Sequence, residues 1–338
     1  MIKSVGSAYW AEHDSMTMKR QFVIGLLAAW GGIAITAQTG KALDTITVAT
    51  PRMQQTAAGQ SASRTMLERR GGTDLTDAIS RFSGVNIRDY GGAGGMKTLS
   101  VHSLGAGHTG VVLDGMMVSD SESGQIDLSR FSLEQVDSIA LTVGDGADIF
   151  TPARNMAAAA ALHLCRRVPS ADTLSVRLTT GSWGLAQTTL DGALTMRNGW
   201  SWRAQGEFLR ADNLYPFTLT HIKMITRERR TNNAIRRGRG ELSLHHGRDF
   251  AMRLYYYEVN KQLPGQVVLY NPESNERDRY RNAFASVHWQ RALGNRVSLQ
   301  ANARGTWSRE RYYDHNKAWA KPDSTRIYDQ AEVYASVC

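Results

Sequence analysis

The side chains able to do chemistry are scattered along the chain rather than grouped. His245 and His246 are adjacent. In an extended strand successive side chains point to opposite faces, which is poor geometry for holding one metal ion. Asp212 and Asn213, and further on Glu273, Asn275, Glu276 and Asp278, carry oxygens that suit calcium, although solvated loops use the same residues. The run Gly91-Gly92-Ala93-Gly94-Gly95-Met96-Lys97-Thr98 has the composition of a phosphate loop. Such a loop needs glycine immediately before lysine, and here Met96 intervenes, so a flexible loop is the better reading. No nucleophile, base and acid form a convincing set. An enzyme is therefore not expected, and no cofactor is implied. Two cysteines, Cys165 and Cys338, are too few for a disulfide scaffold. What remains is electrostatic. Arg227, Arg229 and Arg230, followed by Arg236, Arg237 and Arg239, could pair with phosphates or line a vestibule for an anion.

The elements that must position these groups differ along the chain. Residues 1–42 carry 4 basic and 2 acidic side chains, residues 43–168 carry 11 and 13, and residues 169–338 carry 25 and 16. Nearly all of the net charge of +9 thus belongs to the second half. Lys19 and Arg20 precede an apolar stretch from Phe22 to Ala37 that is too short to span a bilayer comfortably. Gly40-Lys41-Ala42 supplies small residues for cleavage after Ala42. Residues 1–42 are read as an export signal, with a short anchor helix as the alternative. Export argues against nucleic acid as the partner of the basic half and removes ATP-dependent chemistry.

Asp44-Thr45-Ile46-Thr47-Val48-Ala49 is β-prone and extended. Residues 51–63 read as a linker, so that 43–63 is an extended run plus linker. From 64 to 168 a small α+β domain is expected. Thr73 or Asp74 caps a helix whose Leu75, Ile79 and Phe82 share a face, and Gly84 stops it. Strands follow at Val85–Arg88, Leu99–His102 and Gly110–Leu113, the last turning at Asp114-Gly115 into Met116–Val118. Leu133–Val136 is expected as a short helix and Asp137–Val143 as a strand. Ala157–Ala161 is a packed turn or a strand of small residues.

From residue 173 the period is two. Trp200, Trp202, Ala204, Gly206 and Phe208 oppose Ser201, Arg203, Gln205 and Glu207. Eight strands are expected at roughly 173–181, 185–197, 199–211, 234–246, 249–260, 278–292, 296–312 and 325–338. Their connections alternate between short turns and long polar loops at about 212–233, 261–277 and 313–324. Long amphipathic strands with alternating turns are the pattern of an outer-membrane β-barrel. Trp200, Trp202, Tyr255, Tyr256, Tyr257, Trp307, Tyr312 and Tyr313 are placed as its aromatic girdles. A large soluble β-sandwich is the alternative. On a barrel, the arginines around the first long loop would meet lipopolysaccharide phosphate or form a ligand vestibule.

This order of parts resembles a TonB-dependent outer-membrane receptor. Asp44–Ala49 resembles its TonB box. Leu75-Thr76-Asp77-Ala78-Ile79 through Ser83-Gly84-Val85 resembles the start of its plug, and Val112–Val118 its DG hairpin. Val136–Leu141 resembles the segment leading back to the wall. His108-Thr109-Gly110 and Gly124–Leu128 look most like vitamin B12 receptors of Bacteroidetes type. His102, where such plugs carry Arg, and Ala157–Ala161, in place of a Gly-rich stretch, depart from the pattern. The resemblance implies an α+β plug followed by antiparallel transmembrane barrel strands in the cell outer membrane, and uptake of a scarce bulky nutrient such as cobalamin or an iron chelate. It also implies outer-membrane lipid and lipopolysaccharide around the wall, TonB bound through the N-terminal strand, and ligand contacts from Tyr90, Met96, Lys97, Ser119, Asp120 and Ser121. A binding or signalling protein without transport is the other functional class.

Receptors of this kind use 22 strands. The 170 residues from 169 to 338 hold about eight. The sequence reading is therefore of an N-terminal portion, an incomplete barrel unable to transport by itself.

Overall fold

The computed structural model describes residues 59–337, apart from 70–73, 91–94, 119, 121–123, 145–150, 222–223, 265–273, 294–296 and 315–323. The expected signal, the run Asp44–Ala49, Gly91–Gly94, Ser119, Ser121, Glu273 and Cys338 lie outside the described residues. Residues 53–338 belong to one unit, in which a small mixed sheet packs against a large antiparallel one.

The smaller part opens with β1 (Gln60–Ser63) and α1 (Arg64–Arg69). β1 corrects the reading of 51–63 as linker: it pairs along β6 from Gln60↔Leu141 to Ser63↔Ser138, and Ala62 is buried. Its polar composition hid a strand held by backbone hydrogen bonds. In α2 (Leu75–Ile79) the Asp74 carboxylate accepts the Asp77 N–H at 2.9 Å, as an N-cap should. Leu75, Ile79 and Phe82 are buried together. β2 (Val85–Asp89) and β3 (Lys97–Val101) form a separate hairpin. β4 (Thr109–Leu113) turns at Asp114-Gly115 into β5 (Met116–Val118). Both turn residues have positive φ, which a two-residue hairpin of matching twist requires. Then come β6 (Val136–Val143), α3 (Ala153–Met156) and β7 (Ala160–Arg166).

The sheet order is β1-β6-β7-β4-β5, with β7 parallel to β4 and antiparallel to β6. β7 was only half expected. It is the middle strand and buries Ala160, Ala161, Leu162 and Leu164, a near-continuous apolar run. Gly110 of β4 is closely packed: a Cβ there would stand 2.7 Å from the Met117 Cε and 3.1 Å from the Cβ of Ala158, just before β7. Leu133–Gln135 is a 3-10 turn rather than an α-helix.

The larger part is a meander of β8 (Thr173–Gly181), β9 (Leu185–Thr195), β10 (Trp200–Ala211), β13 (Ile235–His246), β14 (Phe250–Leu263), β15 (Glu276–Ala292), β16 (Ser298–Asp314) and β17 (Ser324–Val337). All eight pair antiparallel in sequence order, with β8 and β17 at the two edges. A further hairpin, β11 (Pro216–His221) with β12 (Met224–Arg229), rises inside the first long connection, where only loop was expected. Its residues carry no consistent apolar face, so periodicity could not mark it.

The wall is amphipathic in the sense opposite to a soluble sheet. On β10, Ser201, Arg203, Gln205 and Glu207 are buried against the small domain, whereas Trp202 and Phe208 are exposed, Phe208 at 54%. On β13, Arg237, Arg239, Glu241, Ser243 and His245 are buried, and Arg236, Leu242 and His246 face away. A polar interior and an apolar exterior are what lipid around the wall demands.

Two expectations need correction here. Tyr255 and Tyr257 are not girdle residues. They are buried on the inner face, and of the three consecutive tyrosines only Tyr256 looks outward. Arg237 and Arg239 likewise point inward. Both corrections follow from strict alternation along a strand.

α2 ends at Ile79 with Ser80 as its C-cap, so Gly84 does not stop the helix as expected; it holds φ +73 in the turn into β2, where a Cβ would lie 2.7 Å from the His102 ring. The His102 N–H bonds the Gly84 carbonyl at 2.8 Å, so the two residues cannot separate freely. Gly84→Ala is expected to destabilise the chain by about 1–3 kcal/mol. Urea unfolding of the chain in detergent measures this, with Ser83→Ala, an exposed neighbour, as a control that stays near wild type.

Candidate ligand vestibule and the plug–wall interface

Three of the six candidate ligand residues converge. Tyr90, Met96 and Asp120 line a cavity of about 420 Å³ together with Asp127 and Arg130 of the small domain. The facing wall supplies Tyr257, Val259 and Lys261 of β14, Asp278 and Tyr280 of β15, and Glu310 of β16. These wall residues sit towards the strand ends that carry the long connections. Met96 comes from the glycine loop and Asp120 from the segment after the β4–β5 hairpin, so two irregular apices are aimed at one end of the wall.

Lys97 does not join them. Its ammonium pairs with Asp74 and lies 3.9 Å from Asp89, and its backbone N–H donates to Asp127 at 2.9 Å. It ties the β3 strand to the α2 cap. Burial raises the Asp74 pKa, but the bonds from Lys97, Thr76 and the Asp77 N–H outweigh it and hold the carboxyl below its ordinary range. The stability this contributes is present above the usual carboxylate value, near pH ~4, and is lost as pH falls through the depressed one. Asp74→Asn keeps a cap but loses the charge pair. It should flatten the acid limb of a stability-versus-pH curve measured by urea unfolding.

The back of the vestibule is a clasp of charges. Arg130 pairs with Asp120 at 2.9 Å and its guanidinium lies 4.2 Å from the centre of the Tyr280 ring. The Arg130 carbonyl accepts from Arg239 at 2.9 Å and from the Tyr255 hydroxyl at 2.7 Å. Lys261 and Asp278 pair across β14 and β15 at 2.9 Å.

Deeper in, the two domains meet through a ring of alternating charge. Asp114, at the β4–β5 turn, pairs with Arg253 of β14, and Arg166, at the end of β7, pairs with Glu241 of β13. Arg166 also lies 3.7 Å from Asp114, and Arg253 lies 4.0 Å from Glu241. Each domain contributes one cation and one anion. Beside the ring, Arg304 of β16 donates to the carbonyls of Leu113, Met116 and Met117 at 3.2–3.4 Å. Arg237 donates to the Ser129 carbonyl at 3.4 Å and Arg203 to that of Glu134 at 3.1 Å. Sequence reasoning placed Arg203 on a polar face but missed Arg130, Asp114, Arg166, Glu241 and Arg253. The signal available was isolated charges at inward positions of strands otherwise built for burial.

Of the calcium candidates, Asp212 turns its carboxylate to Arg210 at 3.4 Å and Asp278 to Lys261 at 2.9 Å. The Asp212 and Asn213 N–H groups both donate to the Trp183 carbonyl at 3.0 Å, and Asn213 and Asn233 exchange side-chain bonds at 3.2 and 3.0 Å. The Glu276 carbonyl accepts from Asn232 at 2.9 Å. Among the described residues, no three His, Cys, Asp or Glu side chains gather as a metal site. His245 and His246 point to opposite faces, the first buried and the second exposed.

Removing one member of the ring strands a buried charge. Glu241→Gln is expected to cost about 3–5 kcal/mol. The double change Arg166→Met with Glu241→Leu, which leaves Asp114 with Arg253, should recover most of that loss. A double variant as unstable as the single one in urea unfolding would refute the ring's role.

Residues 51–154 match the family model "TonB-dependent Receptor Plug Domain". The structure resembles the unliganded ferric citrate transporter FecA (TM-score 0.59, 18% identity), with 77% of this chain and 41% of that chain covered. It also resembles the copper transporter OprC (TM-score 0.60, 12% identity; 84% and 43% covered). A third similar structure is the siderophore receptor PiuA from Acinetobacter baumannii (TM-score 0.53, 14% identity; 76% and 37% covered). The chain thus spans about two fifths of the length of these solved proteins. Its architecture is a plug domain backed by eight antiparallel strands of the wall such receptors use.

Proposed function

We propose that the chain provides the plug and a wall segment of a TonB-dependent outer-membrane receptor that takes up a bulky metal chelate. The observation that carries this reading is the vestibule. Tyr90, Met96 and Asp120 of the plug and the facing inner wall line about 420 Å³ on the side of the long connections, and buried ion pairs cross the seam between plug and wall. Such a seam can be hydrated when it opens, which suits a plug that must move. The similar proteins are described as ferric citrate, copper and siderophore transporters, in line with a metal-chelate ligand. Cobalamin, suggested by His108-Thr109-Gly110 and Gly124–Leu128, is itself a metal chelate and stands as one candidate beside iron siderophores.

The run Asp44–Ala49 would add as a strand to TonB, whose coupling to the inner-membrane proton gradient supplies the work. A plug seated by buried ion pairs and preceded by the β-prone run Asp44–Ala49 favours this reading over binding or signalling without transport.

Titration of the chain in detergent with ferric citrate, a ferric catecholate and cyanocobalamin tests the ligand class by tryptophan quenching. Saturable binding of at least one supports the reading, and indifference to all three overturns it. Ile46→Pro should abolish co-purification with the periplasmic domain of TonB while leaving chelate binding unchanged. Undiminished capture would refute the role of that strand.

A further inference from the structure

The vestibule carries a sign of charge opposite to that of the chain as a whole. Its lining holds four carboxylates, Asp120, Asp127, Asp278 and Glu310, against two cations, Arg130 and Lys261. Each cation is committed to one of these carboxylates, Arg130 to Asp120 and Lys261 to Asp278, both at 2.9 Å. Arg130 is also engaged by the Tyr280 ring beneath it. Asp127 is held by neutral donors, the N–H groups of Lys97 and Ser129 and the Ser129 hydroxyl. Glu310 adds its charge from β16. Asp278 is 4% exposed, and among the described residues its Oδ1 meets no hydrogen-bond donor. A buried carboxylate oxygen that lines a cavity without a donor is an acceptor left for a ligand.

The basic residues nearby do not reverse this sign. Arg279 and Arg281 flank Tyr280, and Arg309 and Arg311 flank Glu310, but alternation along β15 and β16 turns all four to the outward face. Behind the cavity, Arg237 and Arg239 share Glu207 and donate to plug carbonyls. Lys97 is tied to Asp74. Among the described residues, the lining therefore offers no uncommitted cation to a ligand carboxylate or catecholate oxygen. It offers carboxylate acceptors and phenols instead, with Met96 as an apolar contact.

We propose that the vestibule selects its chelate by charge. It admits a chelate that is neutral or cationic at its rim and presents N–H donors, and it turns away polyanionic chelates of the citrate and catecholate kind. An amide or ammonium N–H can donate to Asp278 Oδ1 and leaves no charge of the site unmatched. A polyanion would bring like charge against Asp127 and Glu310 in a partly enclosed space, where water screens poorly. The inference rests on the chelate-uptake reading above and narrows it.

The test uses the full chain in detergent, with binding followed by equilibrium dialysis. Of the three chelates titrated above, neutral cyanocobalamin is expected to bind at least about tenfold more tightly than ferric citrate or the ferric catecholate. Charge is then varied on one ring, with the monocarboxylate made by hydrolysing a peripheral amide of cyanocobalamin and the aminoethyl amide made from that acid. Affinity is expected to rise from the carboxylate through the parent to the amine, by about tenfold in all at low salt, and the spread to narrow in ~0.5 M salt. Asp127→Asn with Glu310→Gln balances the lining and is expected to shrink the spread to within about threefold. Glu310→Gln alone gives an intermediate spread, and Asp329→Asn, on the outward face, leaves it unchanged. Ferric citrate or catecholate bound as tightly as cyanocobalamin, or an order running from amine up to carboxylate, overturns this inference alone. A full spread in the double variant overturns its assignment to these carboxylates. Silence towards all three chelates overturns the uptake reading, and this inference with it.

Discussion

The whole arrangement follows from giving the apolar face of the wall to lipid. Once Phe208, Leu242, Leu254 and Trp307 look outward, alternation turns Arg203, Glu207, Arg237, Arg239, Glu241 and Arg253 towards the plug, beside a smaller apolar set of Leu209, Ile235, Tyr255 and Phe284. The plug, a small α+β domain with its own core of Ile79, Val101, Leu162 and Leu164, therefore meets a wall that is apolar only in part and is seated largely by charge. Hence the ring of Asp114, Arg253, Glu241 and Arg166, and the wall arginines that reach plug carbonyls. Buried ion pairs of this kind add little net stability compared with an apolar contact, but they fix register, because any displacement leaves charges unmatched.

The same constraint explains why the wall was legible in sequence and the plug less so. An uninterrupted period of two located the eight wall strands within a few residues; the expected 185–197 and 278–292 stand beside the observed Leu185–Thr195 and Glu276–Ala292. β1 was missed because Gln60, Ser61 and Ser63 carry no strand signal, and pairing with β6 is all that makes them one. β7 was blurred because its alanine-rich start reads equally as a packed turn, and its place between β6 and β4 is a tertiary demand that local pattern does not express. The β11–β12 hairpin has a ladder without an apolar face.

The candidate site was legible in part for a related reason. Tyr90, Met96 and Asp120 were placed on plug loops by resemblance, and the structure brings them to one cavity. Lys97 has the right neighbourhood in sequence, but its side chain is drawn to Asp74 and Asp89, a pairing across 23 and 8 residues that spacing could not foretell. The wall half of the cavity, Tyr257, Asp278, Tyr280 and Glu310, depends on strand register and became visible only with the sheet. Misassigning Tyr255 and Tyr257 to girdles came from weighing residue type above parity.

β1 has a mechanical consequence. It is an edge strand, joined to the plug sheet by four residue pairs with β6 alone, and it is the first described element of the chain. Tension transmitted along the backbone from residues before Gln60 loads that short ladder before any other. Behind it stand β6, β7 and β4, each paired along five to seven residues and buried on the core. The plug therefore has a weak seam at its leader end and a strong one at its centre. A modest pull would strip the edge and leave the middle of the sheet, with its charged seat on the wall, intact.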